Sequence, residues 1–501
     1  MSFIEVLSGA FALFATWQNV LVVGLGVLIG TFVGAVPGMT TPMAVALTLP
    51  FTFTMHPVTG ILLLLGVYKG GLYGGSITAI LINAPGTPAA SCTVLDGYPL
   101  AKRGEARRAL DIALYSSVVA DFISNLSLIL FAGVLASLAL AFGTPEVFTL
   151  ILFSLTIIAS VSGNQLLKGL GAACLGLMLA TVGLDVIYGT NRFVYGQVDL
   201  MAGLNFIPVL IGLFALPEII AYYGRVETIR EHNPLAGSGA SIKDFFANLK
   251  TIVRGSVIGV VLGAIPGIGG APAAFLSYSE ARRNSPNKDK FGTGELEGVA
   301  AAESGNNGTA GATLIPLLAL GIPGDITTAI ILGAFMIHGL RPGPLLFQDN
   351  LSLIYALFIG IMLSSLFLFV IGKASIRLIS RIADIPQRVL FPIVLVLCVY
   401  GAYAVNNSIF DVTVMFVMGV VGFGMRSLGV PAAPFLIAFI LGPLAEDNFR
   451  QSLLLSKGDW MIFFSSPICW LFWALTMLAV GFTLWSNLRA RKPAQQSEQT
   501  G

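Results

Sequence analysis

Charge is scarce in this chain. Asp, Glu, Lys and Arg make up only 10% of its 501 residues, while 56% are hydrophobic. An ordinary soluble domain carries about 25% charged residues. A chain this poor in charge cannot cover a water-facing surface throughout, so lipid is the expected solvent for much of it. The net charge of +2 is nearly balanced and gives no sign of a nucleic-acid partner, and none is expected. Cysteine is rare too: Cys92, Cys174, Cys398 and Cys469 lie in apolar contexts without metal-ligand spacing, and are expected to be small buried hydrophobes. The three histidines, His56, His232 and His338, are far apart and form no metal or catalytic pattern. Neither H-E-x-x-H nor G-x-S-x-G occurs, so an intramembrane enzyme has no recognisable nucleophile or metal set. No phosphate loop is present, since the only Gly-Lys pair, Gly372-Lys373, is followed by Ala374; ATP is not the expected energy source. No Lys or Arg precedes Lys69. The basic n-region of a cleavable signal peptide is therefore missing, and the first apolar segment is expected to remain as a span.

Apolar stretches are what the chain has in abundance. They recur from residue 17 to residue 487, enough for roughly a dozen spans at about 20 residues each. Several are too short to cross the hydrocarbon and are expected to form hairpins or broken helices. Polar linkers fall at 223–250, 281–298 and 373–388, and the tail after Leu488 reads as disordered. Placing 101–108, 168, 225–254, 282–290, 373–388, 426 and the tail in the cytoplasm puts 22 of the 27 Lys and Arg residues inside, as the positive-inside rule requires. The N-terminus is then outside and the C-terminus inside.

A repeat underlies the apolar pattern. Gly30–Leu47 (GTFVGAVPGMTTPMAVAL) and Gly259–Leu276 (GVVLGAIPGIGGAPAAFL) align without gaps at a shift of 229, with seven of 18 positions identical. Each copy is followed by a second interrupted segment, carrying Pro85-Gly86 in the first half and Pro323-Gly324 in the second. The threading makes the halves inverted, with residues 1–222 and 251–487 as two transmembrane repeats, 223–250 as a cytoplasmic linker and 488–501 as the tail. Proline removes a backbone donor and glycine permits turns other residues resist. In hydrocarbon such breaks persist only where protein or water lines them. Matched Gly/Pro-interrupted segments in two halves point to the binding site of a secondary transporter. The helix N-termini at the breaks suit an anion, and freed carbonyls suit a sodium ion. An ion channel would instead call for filter loops or charged rings around a central axis.

Six stretches carry a family resemblance: GTFVGAVPG, YGGSITAILINAPGTPAASCTVLDGYPLAKRGEARRAL, IGLFALPEI, GAIPGIGG, FGTGELEGVAAAESGNNGTAGATLIPLLALGIPG and HGLRPGPLLF. The chain resembles the large membrane subunit of the tripartite tricarboxylate transporter family. The resemblance implies a small membrane subunit and an extracytoplasmic solute-binding protein as partners. It also implies uptake of a carboxylate such as citrate through a bacterial inner membrane, driven by an ion gradient, commonly sodium, with no cofactor. Members of the family often read Ala-Asn-Asn-Ala where this chain has Gly305-Asn306-Asn307-Gly308. A carrier that needs no binding protein fits the sequence equally, because partner surfaces leave no readable motif.

The family pattern places Ser76, Asn83, Pro85, Gly86, Asn306, Asn307, Pro323 and Gly324 in its signature regions; with Thr87 and Lys69 they are the candidate substrate residues. Lys69 has three readings: contact with the substrate, snorkelling, or pairing with a structural acid. Ser76 suits either a carboxylate or helix packing. Asn83 suits a cap at the break or an ion. The ion-binding candidates are Pro37, Gly38, Thr40 and Thr41 at the first break of one half, and Pro266, Gly267 and Gly269 at that of the other. Glu303 joins them as a cation candidate. Asp325 is expected to cap a helix, and Asp96, in Asp-Gly-Tyr-Pro, to sit in a turn.

Overall fold

A computed structural model describes residues 3–161, 166–185, 188–223, 238–382 and 387–497. The chain is nearly all helix, as expected; its only β-structure among the described residues is a two-residue antiparallel pairing of Gly183–Leu184 with Asn191–Arg192. The first part contains α1 (Phe3–Phe14), α2 (Trp17–Gly34), α3 (Thr41–Thr48), α4 (Pro57–Ile82), α5 (Ala90–Lys102), α6 (Ala106–Ala139), α7 (Thr144–Val161), α8 (Leu166–Ala180), α9 (Phe206–Phe214) and α10 (Leu216–Tyr223). The second contains α11 (Ile242–Gly263), α12 (Gly270–Asn284), α13 (Leu296–Asn307), α14 (Thr309–Ala312), α15 (Leu314–Leu320), α16 (Ile326–Ile337), α17 (Pro344–Asp349), α18 (Leu351–Ile382), α19 (Gln387–Ala404), α20 (Ile409–Ser427), α21 (Ala432–Leu455) and α22 (Pro467–Ser497).

Seven of these helices are long and apolar enough to cross a bilayer, and eight shorter apolar helices accompany them. The chain is a polytopic membrane protein. Two boundaries differ from the sequence reading. Helix α11 starts at Ile242, inside the segment assigned to the linker, because Ser241 and Asp244 form a reciprocal capping box that satisfies the first orphan N–H groups. Helix α22 runs on to Ser497, with Arg, Lys, Ala and Gln favouring helix and Pro493 opposing it. The linker's 224–237 and the last residues, 498–501, lie outside the described residues.

At the centre stands α4, apolar all round, with every residue from Gly60 to Ile82 buried. It crosses α2 closely because both helices carry glycine every fourth residue: Gly26, Gly30 and Gly34 face Gly66, Gly70 and Gly74. A Cβ at Gly34 would stand 2.7 Å from the Gly71 carbonyl oxygen, and one at Gly66 2.8 Å from that of Val23. Backbones approach this closely only where small residues repeat on one face. Helix α11 packs on α13 and α14 in the same way, with Gly255 against Ser304, Gly259 against Gly308 and Gly263 against Ala312. Helices α6 and α18 pack against each other and flank this centre. The outer helices pair as α8 on α21 and α9 on α20.

Candidate functional site

Four helix breaks build the site. Helix α2 ends at Gly34, and the chain turns through Pro37 and Gly38, whose φ of 87° is open to glycine at no steric cost. Thr40 then accepts the Met43 N–H at 3.4 Å and starts α3. After α11 the chain repeats this path: Pro266 precedes Gly267 at φ 85°, Gly269 takes φ 65°, and α12 begins. The second breaks also match. Asn83 closes α4 in the left-handed region at φ 54°, and Gly321 closes α15 at φ 73°. Pro85-Gly86 and Pro323-Gly324 follow. Thr87 then accepts the Ala90 N–H at 3.1 Å, and Asp325 accepts the Thr328 N–H at 2.7 Å. Asp325 therefore caps α16, as expected, and Asn83 acts as a C-cap.

The helices restarted at the breaks, α3, α5, α12 and α16, open on one cavity of about 780 Å³. Of the sequence candidates it is lined by Thr41, Thr87, Gly267, Gly269 and Asn306. Sequence reasoning missed the lining residues Pro42, Pro88, Pro272 and Thr327, and read Asp325 only as a cap. The signal was available: each stands within a few residues of a Pro-Gly or Gly-Gly break, where the next helix must begin. Asn306 is 1% exposed, and neither polar atom of its amide has a partner in the protein; the Thr41 hydroxyl is likewise unpaired. Leaving such a group unsatisfied costs about 1–3 kcal/mol, so this wall is built to meet a polar ligand or water. No Lys, Arg or His lines the cavity among the described residues, and Asp325 is its one acid. The groups that favour an anion there are the backbone N–H groups at four helix N-termini.

The remaining candidates stand apart from the cavity. Lys69 is fully buried and paired with Asp121 at 2.6 Å. Its ammonium also donates to Asn125 Oδ1, while Asp121 accepts from Ser365 at 2.5 Å. Of the three readings of Lys69, the structure shows pairing with a structural acid, which ties α4 to α6 and α18. Replacing Lys69 by Met should destabilise the protein by about 3–5 kcal/mol, because it strands a buried carboxylate. Combining it with Asp121→Leu should restore most of the loss in thermal unfolding. Glu303, Asn307 and Ser76 are buried together behind the cavity wall. Asn307 donates to Ser117 at 2.9 Å and to Glu303 at 3.3 Å. Where the rod α13–α15 is interrupted, Ser124 of α6 donates to the Gly308 carbonyl and accepts the N–H groups of Gly311 and Ala312 at 2.9 Å. This is how irregular backbone survives at membrane depth. Asp96 is within α5 rather than in a turn: its Oδ1 accepts three N–H groups, from Gly292, Gly294 and Glu295, and its Oδ2 accepts the Tyr278 hydroxyl. These tertiary bonds outweigh the local preference of Asp-Gly for a turn.

Interrupted apolar helices whose restarted ends open on one largely apolar cavity, set with the unpaired polar groups of Thr41 and Asn306, fit a membrane protein of the transporter class. The chain matches the tripartite tricarboxylate transporter TctA family over residues 20–437, and it belongs to that family, the membrane component of a tricarboxylate transporter. It is 39% identical over 483 residues, 96% of this chain and 95% of the relative, to an uncharacterized 52.8 kDa protein of the TAR-I ttuC' 3' region of Agrobacterium vitis. A protein of the TAR-II ttuC' 3' region of the same organism is 36% identical over 234 residues, covering 47% of this chain and 97% of the relative. No solved structure matches the chain.

Proposed function

We propose that this chain is the large membrane subunit that carries a tricarboxylate or related organic carboxylate inward through a bacterial inner membrane. The substrate is delivered by an extracytoplasmic solute-binding protein, and a small membrane subunit completes the transporter. The observation that carries this reading is the convergence of four helix N-termini on a cavity whose lining holds no basic side chain. A polycarboxylate bound there is held by backbone N–H groups, the Asn306 amide and the hydroxyls of Thr41 and Thr87. Its remaining charge, together with that of Asp325, calls for small cations bound alongside. Sodium is the cation proposed, held by carbonyls freed at the breaks around Pro37–Thr41 and Pro266–Gly269.

Residues 1–222 and 251–487 are proposed as inverted repeats. The support is the matched backbone at Gly38 and Gly267, at Asn83 and Gly321, and at the caps Thr87 and Asp325. The exchanged packing of α8 on α21 and α9 on α20 fits the same symmetry. One repeat moving against the other would expose the cavity to each side in turn. The proposed orientation puts the N-terminus in the periplasm.

Labelled citrate uptake into proteoliposomes tests the function. The vesicles hold this chain, its small subunit and its binding protein, with and without an inward sodium gradient. Uptake that follows the gradient is expected. Uptake indifferent to sodium would overturn the proposed coupling, and uptake undiminished without the binding protein would overturn the tripartite reading.

A further inference from the structure

Glu303 differs from the two buried acids of α6 that have lysine partners. Asp121 has Lys69 at 2.6 Å, and Asp111 has Lys373 at 2.7 Å. Glu303 is 0% exposed and makes no ion pair among the described residues. Its Oε1 meets the Thr93 hydroxyl of α5. Its Oε2 accepts from Ser117 of α6 at 3.0 Å and from the Asn307 amide at 3.3 Å. The Ser76 hydroxyl of α4 faces the same carboxyl and completes no hydrogen bond, and the Tyr73 hydroxyl, also on α4, is buried and unpaired.

Among the described residues, no element packed on α13 forms an ion pair with Glu303. On α4, Lys69 is taken by Asp121. On α5, Cys92 lies near Glu303 and carries no positive charge in either protonation state, and Asp96 is held by N–H groups and by Tyr278 of α12. On α6, Asp111 and Asp121 belong to Lys373 and Lys69, and Tyr115 to Lys373. On α11, Arg254 lies toward Glu280 of α12, which pairs with Arg283. Helix α14 carries no titratable group. No counter-charge reaches the carboxyl. Leaving an ionised carboxylate buried and unpaired is prohibitively costly, and such a group is ordinarily neutralised. No group of three or more His, Cys, Asp or Glu side chains that could hold a metal ion surrounds it among the described residues.

We propose that Glu303 carries a proton in this conformation, and that the proton is exchanged with water during transport, so that Glu303 couples proton movement to the relation between α13 and the helices α5 and α6. When those contacts open, the carboxyl O–H bond breaks, the proton passes to a water molecule, and the carboxylate left behind is solvated. Reclosure requires that a proton be taken up again. Asn306, three residues along α13, lines the cavity, so the same rod carries both substrate wall and proton. The coupling half of this proposal rests on the transport reading above; the protonation half does not. The proton adds to the sodium proposed for the cavity.

Infrared spectra of the purified full-length protein in lipid at neutral pH test protonation. The wild-type minus Glu303→Gln difference should show a carboxylic-acid C=O stretch; carboxylate bands in its place would overturn the proposal. Glutamine has the shape of the protonated acid, so the variant is expected to fold, and a wild-type titration without any variant serves the same purpose. The coupling is tested in the reconstituted transporter with labelled citrate. A gradient of one pH unit should change wild-type accumulation by up to about tenfold, and the Glu303→Gln transporter should lose this response. A variant that keeps the wild-type pH response overturns the coupling. Should wild type move no citrate at all, citrate is ruled out as the carboxylate carried, while the infrared result still decides whether Glu303 holds a proton.

Discussion

Asn306→Ala is expected to weaken substrate binding by about 10- to 100-fold while leaving the melting temperature nearly unchanged. The reason is that the Asn306 amide makes no hydrogen bond within the protein and faces the cavity. Hydrogen bonds to charged groups contribute about 1.5–3 kcal/mol, which is the stated range in affinity. The neighbouring Asn307→Ala should do the reverse. Its amide donates to Ser117 and Glu303, so its loss leaves buried acceptors unpaired and lowers thermal stability by about 1–3 kcal/mol. Titration of citrate uptake together with thermal unfolding of both variants separates the two roles. Equal stability losses in the two variants would refute the assignment of Asn306 to the ligand. The double variant should show both defects.

The second large effect is expected where backbones touch. Gly30→Leu should cost at least about 3 kcal/mol and collapse the yield of folded protein in the membrane. A side chain at Gly30 meets the Val67 carbonyl and the Gly71 nitrogen, both backbone atoms that cannot turn aside. Gly259→Leu should behave alike, since its nearest neighbours are the Gly305 carbonyl at 2.6 Å and the Gly308 backbone. Gly133→Ala is the control: nothing lies within 4 Å of its added Cβ, and alanine is the better helix former. Thermal unfolding of detergent-solubilised protein should rank the first two far below wild type and leave the third level with it or above. A wild-type melting temperature for Gly30→Leu would mean that α2 and α4 are not in register as described.

Much of the architecture was legible because hydrocarbon imposes simple rules on sequence. Low charge and long apolar runs require helices, and Pro-Gly pairs inside such runs require sheltered breaks. The breaks came out where the Gly/Pro pattern put them, with Gly38 and Gly267 in nearly identical conformations. The four-residue glycine spacing of α2, α4 and α11 is equally present in the sequence, but spacing alone does not say which helix it faces. The roles of single polar residues were harder. Lys69 in an apolar run has several readings until the partner is known, and that partner, Asp121, lies 52 positions along the chain on another helix. Asn306 and Asn307 are adjacent in sequence, yet they point to a cavity and to a buried carboxyl respectively, because successive residues face different sides of a helix.

The sequence by itself determined the solvent, the helical class and the positions where helices break, since each follows from composition or from residues that constrain their own backbone, and its signature stretches carried the family resemblance. Only the tertiary structure decided which breaks meet, that four helix N-termini share one cavity without a basic side chain among the described residues, and that Glu303 is buried without a basic partner. Those outcomes depend on contacts between residues far apart in the chain, such as Glu303 with Thr93 and Ser117, and no local preference encodes a contact of that kind.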